Sequence, residues 1–225
     1  MELAGRTIVI TGALGILGRQ VAEAAVAAGA TVVAVDRVDG EPPRGAQAWP
    51  ALDLGDAKAT QEALAAIAAR HGGIDGLVNI AGGFRWETVA DGSIDTWDLL
   101  YQINLRTAVN ACRAALPKLR EGGRIVNIGA AGATKAAMGM GAYAASKAGV
   151  ARFTEALAEE LKDRAITVNA VLPSIIDTPA NRADMPDADH SRWVRPQELA
   201  EVILFLLGRG ASAVTGALIP VTGRV

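Results

Sequence analysis

Short β-branched runs alternate with longer Ala-rich stretches along almost the whole chain, and this alternation constrains the fold more than any other feature. Thr7–Ile10, Thr31–Val35, Gly76–Ile80, Arg124–Ile128 and Ile166–Val171 are apolar nearly throughout. Runs of that kind suit parallel strands buried on both faces, not half-exposed antiparallel ones. Between them, helical patterns span Gly15–Ala28, Lys58–Arg70, Ile94–Leu119, Tyr143–Lys162 and Pro196–Leu207, with Pro117 disturbing the last turns of the third. A short strand around Ala48–Ala51 and a last one at Ala217–Pro220 bring the count to seven. Strand–helix alternation predicts an α/β, doubly wound, mostly parallel seven-stranded sheet with helices on both faces and right-handed crossovers. At 225 residues, without a repeat or a low-complexity linker, the chain reads as one domain over residues 1–225. Only Pro173–Pro196 breaks the pattern; polar and proline-interrupted, it reads as a lid, not core.

Composition excludes several partners. Apolar residues make up 51% and no run approaches the roughly 20 residues that cross a bilayer. Met1–Arg6 runs into a strand pattern and lacks a basic-then-apolar secretory segment. Cys112 is the sole cysteine, so no internal disulfide can form. A cytoplasmic location is expected. A formal charge of −2 gives no electrostatic case for nucleic acid or anionic membrane, which leaves a small-molecule substrate. His71 and His190 have no metal-like company, and no metal is expected.

The turn after the first strand carries Thr11-Gly12-Ala13-Leu14-Gly15-Ile16-Leu17-Gly18. Glycines there permit a tight turn and close approach of backbone to a pyrophosphate, while the following helix offers its N–H groups and positive dipole end. Placement between strand and helix marks a Rossmann-type dinucleotide fold. Asp36 ends the second strand, where a carboxylate can accept the ribose hydroxyls of an adenosine and repel a 2′-phosphate. NAD(H) is therefore the preferred cofactor, with Arg37 leaving some tolerance for NADP(H). Asp53, Leu54, Ala81, Gly82, Gly83 and Ile128 follow strand ends, where such sheets bind ligands.

Tyr143 and Lys147 stand four residues apart and share one helix face. A free phenol titrates near 10 and is a poor acid–base at neutral pH. An ammonium beside it favours the phenolate, so this pair is expected to transfer protons with a lowered tyrosine pKa.

In these features the chain resembles the short-chain dehydrogenase/reductase family. The glycine loop, Asn79–Gly82, Ile103-Asn104, Ile125–Ile128, Tyr143–Lys147 and Asn169–Pro173 follow that family's order and spacing. The resemblance implies that Asn104 joins Tyr143 and Lys147 in catalysis, holding a relay water through a local helix distortion. It implies too that Lys147 bonds the nicotinamide ribose, and that Pro173, the Ile176 backbone and Thr178 border the nicotinamide carboxamide. A homodimer or homotetramer is implied through the 94–119 and 143–162 helices.

The chain also departs from that pattern. Ile16 replaces the middle glycine of the loop, and Ser174 follows Pro173 where glycine is usual. Ala130 stands 13 residues before Tyr143, where the family places a catalytic serine, and Thr134 is the nearest hydroxyl in sequence. The segments Gly129–Tyr143 and Val171–Trp193 resemble the quinonoid dihydropteridine reductase branch, which also lacks that serine. This resemblance implies reduction of a quinonoid dihydropteridine or a related conjugated substrate. A carbonyl or 3-oxoacyl reductase, an alcohol dehydrogenase, and a catalytically impaired cofactor-binding protein are the alternatives. Phe84, Arg85, Trp86, Ala130, Met138, Met140 and Trp193 are candidates for the substrate pocket wall; Trp49 and Trp97 look structural.

Overall fold

A computed structural model describes residues 3–225. The expected alternation is present. Strands β1 (Thr7–Thr11), β2 (Thr31–Val35), β3 (Gln47–Ala48), β4 (Ile74–Asn79), β5 (Leu119–Ile128), β6 (Thr167–Pro173) and β7 (Leu218–Val221) join one sheet in the order β3-β2-β1-β4-β5-β6-β7. Every pairing is parallel, so the sheet is more uniform than the mostly parallel one expected. Helices are α1 (Ile16–Ala27), α2 (Ala57–His71), α3 (Ile94–Leu100), α4 (Thr107–Ala115), α5 (Gly141–Glu160), α6 (Pro179–Asp184) and α7 (Pro196–Leu207). No helix of the described residues is long and apolar enough to cross a membrane.

Alternate residues of each strand feed two cores. Ile8, Ile10, Val32 and Ala34 meet Leu17 and Val21 of α1 and Leu199, Ile203 and Leu207 of α7. Val9, Val33 and Val35 face the other way, onto Leu64 and Ile67 of α2, Ala111 and Ala115 of α4, and Leu157 of α5. The strands are apolar throughout because both faces are covered. Chain order reverses between β1 and β4, which opens a crevice beyond their carboxyl ends, the usual ligand position in such sheets.

Three expectations need correction. The helix expected from Ile94 to Leu119 is two α-helices joined by a π-helical stretch, Tyr101–Arg106, and it ends at Ala115. Pro117 has no N–H to continue the ladder, and Leu119 already pairs with Ile74 as the start of β5. The third strand keeps only two residues, since Pro50 cannot donate to a ladder. The segment after Pro173 is not wholly outside the core. It holds α6, and Val194 is buried, bridging to Ile176 and accepting from the Asp177 N–H at 2.8 Å.

Candidate active site

A cleft of about 820 Å³ opens at the switch point, and the elements around it deliver their residues from strand ends. The β1–α1 loop forms one wall with Gly12, Leu14, Gly15, Ile16, Leu17 and Gly18. Gly12 has φ +66°, and a Cβ on it would lie 2.7 Å from the Ala81 nitrogen. A Cβ on Gly18 would overlap the Gly12 carbonyl oxygen. Both glycines are therefore required for the loop to lie flat between β4 and α1. Gly15 caps α1 without a side chain, and the first turn holds no acidic residue. Its N–H groups and dipole are thus uncountered by protein, as an anion would require. Ile16 in place of glycine points outward and is 47% exposed, so it leaves the turn intact.

Asp36 and Arg37, then Asp53 and Leu54, border the cleft beyond β2 and β3. The Asp36 carboxylate accepts from the Leu14 N–H at 3.0 Å and the Arg37 N–H at 2.8 Å, which fixes it beside the glycine loop. Ala81, Gly82 and Gly83 arrive from β4, and Thr11 Oγ1 accepts from the Ile80 and Ala81 N–H groups. Ile128, Pro173, Ile176 and Thr178 close the far end. Thr178 caps α6, and the Ile176 carbonyl accepts from Asn181 Nδ2 at 2.7 Å, so the Ile176 N–H is the group left to face a ligand. All of the residues expected to bind cofactor thus border one cleft.

Tyr143 and Lys147 line that cleft from the first turns of α5. Lys147 Nζ donates to the Ile128 carbonyl at 2.8 Å. Burial lowers Lys147 to about 8 and raises Tyr143 to about 12. The expectation of a lowered tyrosine pKa is therefore not met by the protein groups alone: burial removes the hydration that a phenolate needs. Phe84 packs against the Tyr143 ring edge-to-face, with centroids 4.9 Å apart.

Asn104 sits in the π-helical stretch, so the expected helix distortion is present, but the side chain is only 2% exposed and is not on the cleft wall. Its carboxamide bonds both the N–H and the carbonyl of Gly83 and donates to Ser146 Oγ at 3.0 Å. Ser146 in turn donates to the Tyr143 carbonyl. Asn104 therefore links the β4 loop to the start of α5. Beneath it, Asn79 Nδ2 bonds Asn127 Oδ1 and Cys112 Sγ, and Asn127 bonds Thr154.

The substrate side differs most from expectation. Of its candidates only Phe84 and Arg85 border the cleft. Trp86 lies over Gly139, whose φ of +75° leaves room for the indole. Met138 is 78% exposed, Met140 leans towards Gly132, and Trp193 is buried against His190 with ring centroids 4.4 Å apart. Ala130 is buried next to Gly129, which borders the cleft. Trp193 found a packing partner away from the cleft, while Met138 faces solvent. Leu99, Ile103 and Thr107, one helical turn apart, take the place of the others together with Ser174. The helical spacing was visible in sequence, but the π-helical offset that turns those residues inward was not.

Three hydroxyls that could stand in for the absent serine are engaged elsewhere. Thr134 is exposed and donates to the Ala131 carbonyl. Ser174 donates to Thr222, and Thr107 to Ile103.

The profile of the family described as Enoyl-(Acyl carrier protein) reductase matches residues 12–223. A 3-oxoacyl-[acyl-carrier-protein] reductase of Vibrio harveyi is 32% identical, over 99% of this chain and 98% of its own. The chain belongs to the short-chain dehydrogenase/reductase family. Other members are similar at the same level. A D-threitol dehydrogenase of Mycolicibacterium smegmatis is 33% identical over 99% of this chain and 93% of its own. A short chain dehydrogenase from Burkholderia cenocepacia, solved in complex with NADP, superposes with a TM-score of 0.91 at 32% identity, covering 99% of this chain and 98% of that one. As a short-chain dehydrogenase/reductase the chain is an NAD(P)-dependent oxidoreductase. The similarity to dihydropteridine reductases read from sequence does not emerge from these comparisons; the similar members are carbonyl and polyol enzymes.

Proposed function

We propose that this short-chain dehydrogenase/reductase is a single-domain NADH-preferring reductase of a planar conjugated substrate, with a quinonoid dihydropteridine as the first candidate. The observation that carries this reading is Ala130, a methyl group where the family places a hydroxyl donor, while Thr134, Ser174 and Thr107 donate their hydroxyl protons to main-chain carbonyls. A ketone develops charge on one oxygen in the transition state, and lacking a donor there typically costs on the order of 10²–10³ in rate. A quinonoid ring spreads that charge through its conjugated system and needs the donor less. NADH preference is supported by the Asp36 carboxylate, fixed beside the glycine loop where it opposes a 2′-phosphate.

A nicotinamide dinucleotide bound in the cleft supplies the hydride. The protein supplies the proton and the geometry. Burial keeps the Tyr143 phenol protonated, which is the form an acid must hold, and Tyr143 Oη gives that proton to the substrate. Lys147, still charged at neutral pH, stabilises the phenolate left behind. Asn104 positions Gly83 and, through Ser146, the first turn of α5 that carries Tyr143.

Carbonyl reduction, including that of 3-oxoacyl thioesters, is the second reading, favoured by the names of the similar members. An NADH- and NADPH-oxidation screen with a quinonoid dihydropterin, simple quinones, ketones and 3-oxoacyl thioesters separates the two. Turnover confined to ketones and thioesters rejects the first. Assembly as a homodimer or homotetramer is part of the proposal; a stable monomer in light scattering at micromolar concentration rejects it.

A further inference from the structure

The charges that border the cleft are segregated. Asp36, Arg37 and Asp53 lie where β2 and β3 end, while Arg85 follows β4 and Lys147 belongs to α5. Lys147 is committed to the Ile128 carbonyl. Arg85 is committed to almost nothing. Its one side-chain hydrogen bond is from Nη1 to the carbonyl of the preceding residue, Phe84, at 3.3 Å, and no carboxylate of the described residues lies within ion-pair distance. The nearby Asp91 is engaged by Thr88.

A solvated arginine on a loop is ordinary. This one borders the reaction cleft and follows the residue whose ring packs against Tyr143. A molecule with its reacting atom at Tyr143 Oη and a second ring or short arm therefore comes within reach of the guanidinium. That group is planar and permanently charged, and it presents parallel N–H donors that match a carboxylate or sulfonate.

We propose that Arg85 recognises an oxyanion carried by the substrate, so the cleft selects conjugated substrates with a negative substituent. The inference rests on the reductase reading above. Its test uses non-reacting probes, so that binding is read apart from turnover. The full chain, loaded with NAD+, is titrated calorimetrically with naphthalenesulfonate, naphthoate and neutral naphthol. Both anions are expected to bind roughly three- to tenfold more tightly than naphthol. Arg85→Gln is expected to remove that difference while leaving naphthol unchanged, and Arg85→Lys to keep part of it. In kinetics, Arg85→Gln is expected to raise KM for a naphthoquinone sulfonate at least about threefold more than KM for neutral naphthoquinone.

Equal affinity for anion and neutral probe, or no binding of either, overturns the proposal. So does weakened NADH binding in Arg85→Gln, which would assign the guanidinium to the cofactor's phosphates. Anion preference without any quinone turnover leaves Arg85 in its role and rejects the conjugated-substrate reading instead.

Discussion

The Lys147 ammonium donates to the main-chain carbonyl of Ile128 at 2.8 Å, which ties the cation of the catalytic pair to the end of β5. Strand and helix thereby hold a buried charge in place, and burial lowers that lysine to about 8. Reduction needs the charged form, so kcat/KM for reduction should be level below about 8 and fall above it. A profile flat to about 10 would remove Lys147 from the proton chemistry. Tyr143→Phe should lower the rate by about 10²–10⁴ at any pH.

The same lysine predicts a stability effect. It titrates at 10.5 in its ordinary state and about 8 when folded. Between those values the unfolded chain holds a proton that the folded chain has released, so unfolding free energy rises with pH across that window. Lys147→Met should remove the rise, seen as a gap between denaturation midpoints that changes from neutral pH to about 10. Above 10 the raised Tyr143 pKa works the other way, because the unfolded phenol ionises first.

Ala130→Ser restores a hydroxyl at a buried position of nearly the same volume. Ketone reduction should accelerate about tenfold or more, and quinonoid reduction by less than about twofold. Paired steady-state measurements decide this; equal gains on both substrates would break the link between Ala130 and substrate class.

Asp36→Ala removes the carboxylate held by the Leu14 and Arg37 N–H groups. KM for NADH should rise roughly tenfold, while KM for NADPH falls because Arg37 no longer has an acidic neighbour. A wild-type chain that binds NADPH more tightly than NADH would refute the role given to Asp36.

Gly18→Ala forces a methyl group against the Gly12 carbonyl. The loop must shift, at a cost of about 1–3 kcal/mol in stability. Dinucleotide affinity should fall further than stability does, as titration and thermal melts on the same variant would show.

The layered architecture was legible because burial on both faces leaves an unbroken apolar run, and β2 and α7 match their expected bounds residue for residue. That the candidate cofactor residues would share one cleft was legible too, since backbone at strand ends lines it and glycines and Asp36 mark those ends. The substrate wall was not. Periodicity tells which residues are apolar but not which neighbour they meet, and Trp86 met Gly139 while Trp193 met His190. The raised pKa of the Tyr143 phenol was not legible either, because desolvation depends on everything packed around it.

The π-helical stretch Tyr101–Arg106 carries one consequence for engineering and for descent. A π turn amounts to a single surplus residue in an α-helix. Removing one residue from 101–106 would restore regular winding and rotate Asn104 by about 100° relative to α4, the angle of one helical residue. Its three bonds to Gly83 and Ser146 would then be lost with no side chain altered. This part of the site is written in the length of the chain, and a catalogue of point substitutions would never reveal it.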